Sequence, residues 1–516
     1  MSSPRPRTRR LALGAAGALT AAVVALVLPS ATTADATSGP GHAGHDHGHG
    51  VRSSDVGANL WEWNWPSVGR ECTDVLGPQG YASVQVAPPQ DSLKRTHLGD
   101  GNDTILHPWW EVYQAVDYSL TSRMGDEQQF KDMVSTCRAA GVKVYVDAVI
   151  NHTTGQGDTS YGGKHYDRST FSYPDVPYGY EDFHHKGAQC DSTSGGIDDF
   201  NNERQVFNCE LLGLQDLDTG RPATQAKIAA YLNKLISYGV SGFRVDAAKH
   251  VGQDDLEAIY ARLHRTPEGT RPFWALEVFG GGPGTLSPMA FTRSGTVLGL
   301  DDVKQLRDAF KSYQAEHRGS IATLEAFGEG SGLTPSDKTL SFVQNHDTER
   351  NGDALSYKDG ATNTLATEYL LASGYGHPQV YAAFTFADGN NDQSPPSTPD
   401  GMITDTDCSS SQWSCTDRDA GVNALVRWHN AVGNAPQASW WDDGENVISF
   451  RRGPGWVAFN NNTTPKQITV RTGLPRGSYC DLVTRTSTGC TSRVDVDSHG
   501  RTTVTVPAKG AIAILR

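Results

Sequence analysis

A chain of 516 residues is too long for one simple core, and two or three domains are expected. With 37% hydrophobic and 20% charged residues and eleven Trp, the composition is that of a soluble globular protein rich in aromatic faces. A formal net charge of −14 sets nucleic acid aside as a partner, because that binding runs on clustered Lys and Arg.

At the N-terminus, Arg5, Arg7, Arg9 and Arg10 precede an apolar run from Leu11 to Leu28, and Ala34-Asp35-Ala36 supplies small residues at cleavage spacing. Residues 1–36 therefore read as a signal peptide of a secreted, extracellular protein. A retained membrane anchor is the alternative, since the run is long, and Arg9-Arg10 also suits twin-arginine export. Residues 37–54 are Gly- and His-rich, with His42, His45, His47 and His49, and read as a solvated flexible tail with incidental metal affinity.

The eight cysteines are Cys72, Cys137, Cys190, Cys209, Cys408, Cys415, Cys480 and Cys490. An even count without a Cys-x-x-Cys motif fits disulfides in an oxidising compartment. Short-range pairing suggests 408–415 and 480–490 and leaves 190–209 and 72–137, although sequence alone does not fix connectivity.

From Leu60 the pattern is strand, then helix. Tyr81–Pro88 alternates apolar and polar residues. Residues 125–141 place Phe130, Met133, Val134 and Cys137 at helical spacing and stop at Gly141. Val142–Ile150 is a near-continuous apolar run, typical of a parallel strand covered on both faces, and it ends on Asn151 and His152. Residues 153–205 break this rhythm as an irregular insertion, of the kind that is usually functional. The alternation resumes with a helix over 222–238 and a strand over 240–247, in which Arg244 and Asp246 share one face. Phe273–Phe279 follows with Glu277, then Leu340–Val343, which runs into Gln344-Asn345-His346-Asp347. Strands alternating with helices admit a (β/α) barrel or a doubly wound sheet; acids at successive strand ends favour the barrel. After about 425 short strands with Gly/Pro turns predict a small all-β domain.

Glycosidic hydrolysis needs two carboxylates, and three stand at strand ends: Asp246, Glu277 and Asp347. Arg244 would hold Asp246 ionised, as a nucleophile must be, and the apolar setting of Glu277 would keep it protonated, as an acid must be.

Four segments carry a specific resemblance: Asp147-Ala-Val-Ile-Asn151-His152, Gly242-Phe-Arg-Val-Asp-Ala-Ala-Lys-His250, Glu277-Val278 and Phe342-Val-Gln-Asn-His-Asp347. In order and spacing they resemble the signature regions of the α-amylase family of glycoside hydrolases, over roughly residues 55–516, and most of all its animal-like members secreted by actinobacteria. The resemblance implies an α/β fold: a (β/α)8 TIM barrel (55–152 and 206–424) interrupted by an irregular domain B (153–205) and followed by an antiparallel, Greek-key-like all-β domain C (425–516). It implies endo-hydrolysis of α-1,4-glucosidic bonds in starch, glycogen and maltooligosaccharides with retention. Asp246 would be the nucleophile, Glu277 the acid and base, and Asp347 the carboxylate that binds sugar hydroxyls. Trp109, Trp110, Tyr113, Gln114, His152, Arg244, Lys249, His250 and His346 would contact substrate. A structural calcium would be held by Asn151, Asp216 and the carbonyls of Phe207 and His250. The second arginine of the family's chloride site is replaced by Gln379, so activity without chloride is expected. The expected partner is an α-1,4-glucan, with no nucleic acid, no membrane after signal cleavage, and a monomeric chain. A maltooligosaccharide-forming or transglycosylating relative and a non-catalytic carbohydrate-binding protein are the rival readings.

Overall fold

The computed structural model describes residues 55–98, 105–173, 178–311, 319–486 and 488–516. The expected signal peptide and His-rich segment lie outside the described residues. Strands Gly57–Leu60 (β1), Ser83–Val86 (β2), Lys143–Ala148 (β3), Gly242–Val245 (β4), Phe273–Leu276 (β5), Thr296–Leu298 (β6), Thr339–Phe342 (β7) and His377–Phe384 (β8) pair in chain order, all parallel. Pairing of β1 with β8, Gly57 opposite Gln379, closes them into a TIM barrel.

Val84, Val144, Val146, Phe243 and Val245 are buried beneath the surrounding helices, which explains the continuous apolar runs. The interleaved positions Asn59, Gln85, Arg244 and Gln379 are polar yet equally buried, on the side that faces the barrel interior. A Cβ at Gly242 would lie 2.6 Å from the Phe273 Cβ and 2.8 Å from the Tyr145 ring, so only glycine fits there.

The strands end earlier than the apolar runs suggest. Asp246 immediately follows β4, and Glu277 immediately follows β5. After Asp246 the chain reverses through Ala247 in the left-handed region at φ 47°, which costs a non-glycine residue about 1 kcal/mol. The acids are thus aimed outward by turns at the barrel mouth.

The described part of residues 153–205 holds isolated β-bridges and short 3-10 turns, and helix Glu203–Asn208 runs across the expected boundary at 205/206. These residues enclose an aromatic cluster of Tyr166, Tyr173 and Phe183 and are stapled by Cys190–Cys209. The other expected disulfides, Cys72–Cys137, Cys408–Cys415 and Cys480–Cys490, are also formed.

A helix over Ala420–Val432 runs straight through the expected domain boundary at 424/425. Asp419 caps it, and Val422, Leu425, Val426 and Trp428 form its buried stripe against helix Ala361–Ser373. It belongs to the barrel's outer ring. Gly433 at φ 53° and Pro436 stop it, and the β-domain begins at Gln437.

In that domain Gln437–Asp442, Val447–Arg452 and Gly455–Asn460 form an antiparallel meander, and Gly510–Leu515 returns beside Gly455–Asn460. Lys466–Arg471 pairs with Arg501–Val506, and Gly477–Cys480 with Arg493–Val496. Val447–Arg452 and Gly455–Asn460 are buried on both faces, whereas Gln437–Asp442 is an exposed edge. Phe450 and Phe459 pack on Tyr369 of the barrel, whereas Val447, Trp456 and Ile514 pack with Ile468, Val470 and Val506. Trp428 Nε1 donates to the Ile514 carbonyl at 3.1 Å and pins the two domains together.

Candidate active site

The carboxyl ends of β3, β4 and β5 meet at one guanidinium. Arg244, 2% exposed, donates through Nη1 to Asp147 Oδ1 and Asp246 Oδ1, each at 2.7 Å, and through Nη2 to Glu277. The second Glu277 oxygen accepts from the backbone N–H of Ala247 at 2.8 Å, so the left-handed turn after Asp246 supplies a donor to its neighbour. Arg244 was grouped with the substrate-contacting residues; it lies instead beneath them, with its donors directed at three carboxylates. Asp147 has no assigned role in the sequence-based expectation. It is 97 residues from Arg244 in the chain, and no local pattern links the two.

Burial is the leading influence on every acid here. It pushes Asp246 up to about 6, with Arg244 opposing and Asp147 assisting. It also raises Glu277, against Arg244 and with the charge of Asp246. Asp347, more open to the cleft, is raised by burial and then by Glu277.

A second network reaches the same acids from β1 and the segment Trp109–Tyr113. Trp61 Nε1 donates to the Tyr113 hydroxyl at 3.0 Å, and that hydroxyl donates to Asp147 Oδ2 at 2.9 Å. His346 is stacked between Trp61 and Tyr113, with ring centroids 4.8 and 5.1 Å away, and its Nε2 lies 3.2 Å from Asp347 Oδ2. His152 Nε2 donates to the Tyr113 carbonyl at 3.0 Å and stands 3.9 Å from Asp246 Oδ2. Burial lowers His152 and His250 to about 4, so both are neutral donors and acceptors near pH 7. Asn345 Oδ1 accepts from the backbone N–H groups of Asp347 and Thr348 at 3.1 and 2.9 Å, fixing the turn that presents Asp347.

These groups face a cleft of about 830 Å³. Asp246, Glu277, Asp347, Trp109, Trp110, Tyr113, Gln114, His152, Lys249, His250 and His346 all line it. Gln114 accepts from the Gly155 N–H at 2.9 Å, and Lys249 Nζ donates to the carbonyls of Phe279 and Gly281 at 3.1 and 2.8 Å, so both also tie loops together. The sequence reading missed Phe200, Leu212 and Phe279, which are 50%, 89% and 38% exposed and line the same cleft. Phe200 and Leu212 lie in irregular chain with no periodic signal, and Phe279 lies beyond the end of the strand Phe273–Leu276 in which the sequence placed it.

Beside the cleft, Asn151 Nδ2 donates to Asp216 Oδ1 at 3.3 Å, and His184 Nδ1 lies 2.7 Å from Asp216 Oδ2. Burial pushes Asp216 up to about 7, with His184 opposing. Phe207 and His250 each lie in the last turn of a short helix, Glu203–Asn208 and Ala248–Val251, where carbonyls lack intrahelical partners. His250 Nδ1 donates to the Val206 carbonyl at 3.0 Å and joins the two helices. Among the described residues, no group of three or more His, Cys, Asp or Glu side chains is placed to hold a metal. One buried carboxylate, one amide and two helix-end carbonyls are the kinds of oxygen donor that a hard cation prefers.

A closed barrel that delivers three carboxylates into an aromatic-walled cleft defines a barrel glycosidase. The comparisons specify it further. Residues 87–271 match the alpha amylase catalytic domain and residues 439–516 the alpha amylase C-terminal all-beta domain. The alpha-amylase of Streptomyces violaceus is 40% identical over 89% of this chain and 74% of its own length. That of Thermomonospora curvata is 40% identical over 96% of this chain and 78% of its own. The crystal structure of alpha-amylase I from Eisenia fetida superposes with a TM-score of 0.84 at 34% identity, covering 90% of this chain and 97% of that one. The chain belongs to the α-amylase family.

Proposed function

We propose that this protein is an α-amylase that cleaves α-1,4-glucosidic bonds within starch, glycogen and maltooligosaccharides by a retaining double displacement. The observation that carries the reading is the Arg244 fork, which holds Asp246 and Glu277 at adjacent strand ends above one cleft.

Asp246, kept ionised near neutral pH with the help of Arg244, attacks the anomeric carbon and forms a glycosyl ester. Glu277, raised by burial, delivers its proton to the leaving oxygen. Esterification removes the charge of Asp246, and that charge is one of the influences raising Glu277. The affinity of Glu277 for a proton therefore falls between the two steps, and the same carboxylate can take a proton from the water that cleaves the ester. Asp347 and His346 meet the sugar hydroxyls, and Tyr113 and Trp109 offer apolar faces to its ring.

Asn151, Asp216 and the carbonyls of Phe207 and His250 would hold calcium, which would tie the insertion to the barrel and keep Asp216 ionised. Chloride is not required on this reading. Gln379 donates to Gln85 at 3.1 Å, the Asn345 side-chain oxygen serves its own turn, and the donors of Arg244 go to carboxylates. Secretion is supported by the four disulfides, which suit an oxidising compartment.

The test is hydrolysis of soluble starch by wild type and Asp246→Asn, each with and without a calcium chelator. The substitution is expected to leave the circular dichroism spectrum unchanged and to remove several orders of magnitude of kcat. Chelator is expected to inactivate wild type by loosening residues 153–216. Near-normal turnover by the Asn variant contradicts the nucleophile assignment.

A further inference from the structure

Arg350 lies three residues beyond Asp347, in the short helix Thr348–Asn351, and its side chain is 6% exposed. Its Nη1 donates to the His346 carbonyl at 2.6 Å, the acceptor of the peptide bond that leads into Asp347. Its Nε donates to the Asn391 carbonyl at 3.2 Å, and that carbonyl also accepts from Trp109 Nε1 at 2.7 Å. The guanidinium carbon sits 4.8 Å from the Trp61 ring centre, 5.1 Å from Trp109 and 4.3 Å from Phe386. One planar cation thus ties the strand end carrying His346 and Asp347 to the indole wall of the cleft, through a carbonyl both sides share.

Stability alone is a weak reason to bury such a group. Desolvating a guanidinium is costly, and its one short carboxylate contact, to Glu349 Oε1 at 2.6 Å, is to a neighbour that also serves Tyr381. One acceptor is the carbonyl of His346 and the other is shared with Trp109, and both of these residues line the cleft. A flat fork that reaches two carbonyls at fixed separation sets a distance, which a single ammonium cannot do.

We propose that Arg350 is a positioning residue for the reaction: it sets the place of Asp347 relative to Trp109, so that carboxylate and indole engage the same sugar in the transition state. The proposal rests on the assignment of Asp347 as the hydroxyl-binding carboxylate. Arg350→Lys keeps the charge and the cation–ring contact but loses the fork, and Arg350→Gln keeps one amide donor.

The experiment is a double-mutant cycle on soluble starch and on a nitrophenyl maltotrioside, with Arg350→Lys and Arg350→Gln made in wild type and in Asp347→Asn. In wild type each Arg350 variant is expected to lose about 10- to 100-fold in kcat, as small misplacements near reacting atoms do, while KM moves much less. In the Asp347→Asn background the same changes are expected to alter kcat less than about threefold, because the group being positioned is gone. Equal losses in both backgrounds overturn the proposal and leave Arg350 a structural brace. So does failure of both variants to reach the wild-type near-ultraviolet circular dichroism spectrum. Ordinary turnover by Asp347→Asn alone contradicts the assignment of Asp347 and, with it, Arg350's part.

Discussion

At the carboxyl ends of β3, β4 and β5 the buried positions hold Asp147, Arg244, Asp246 and Glu277; in the β-domain they hold Val447, Phe450, Trp456, Val457 and Ile514. Both regions are strands withdrawn from water, but only one is filled by the residues that burial favours. Apolar burial stabilises at about 25 cal/mol per Å², whereas each buried ion carries a desolvation cost of several kcal/mol that its partners must offset. Packing accounts for the β-domain. The barrel mouth is explained only by what its charges do.

Asp246→Asn, the largest expected effect, removes the proposed nucleophile and leaves the β-domain untouched. Next is Arg244→Gln. Arg244 opposes the burial that holds Asp246 at about 6, so its loss lets Asp246 rise further. The acidic limb of the kcat/KM profile, below which Asp246 is protonated, is expected to move to higher pH. Three buried carboxylates lose their cation at the same time, so thermal stability near pH 7 is expected to fall by about 3–5 kcal/mol. An unmoved acidic limb would detach Arg244 from Asp246.

Phe450→Ala inverts the pattern. Phe450 is fully buried, stacked on Trp440 with centroids 5.7 Å apart, and its truncation is expected to cost about 3–5 kcal/mol of stability. The kcat of the folded enzyme should stay within about twofold of wild type. A kcat that fell with stability would erase the distinction between the two regions. Tyr113→Phe deletes the hydroxyl between Trp61 and Asp147 and is expected to cost about 1–3 kcal/mol in kcat/KM, the range for stranding a buried acceptor. The smallest effect is predicted for chloride added to dialysed enzyme, where activity should not change measurably.

Much of the barrel mouth was legible in the sequence because each acid ends an apolar run: Asp246 after Phe243-Arg-Val, Glu277 after Trp274-Ala-Leu. What joins them was not. Arg244 meets Asp147 and Glu277 only when β3, β4 and β5 lie side by side, and Arg350 meets the Trp109 ring and shares with it the Asn391 carbonyl of a loop distant in the chain. The β-domain strands were legible from alternation, as in Lys466–Arg471, where Ile468 and Val470 alone are buried. Its boundary was misplaced, because the texture already changes inside helix Ala420–Val432, ahead of the Gly433 and Pro436 that stop it. Leu212 and Phe200 were invisible for the opposite reason: nothing in an irregular segment separates an apolar residue that packs from one that waits at a cleft.

The central claim is that Asp246 becomes covalently linked to the sugar. Incubation with a maltooligosyl fluoride carrying a second fluorine at C5, which slows breakdown of the glycosyl-enzyme, followed by peptide mass spectrometry, addresses it directly. The account predicts one sugar-derived mass increment on the peptide containing Asp246, absent from Asp246→Asn. An increment on the peptide containing Glu277, or turnover of the reagent by Asp246→Asn at the wild-type rate, would contradict it.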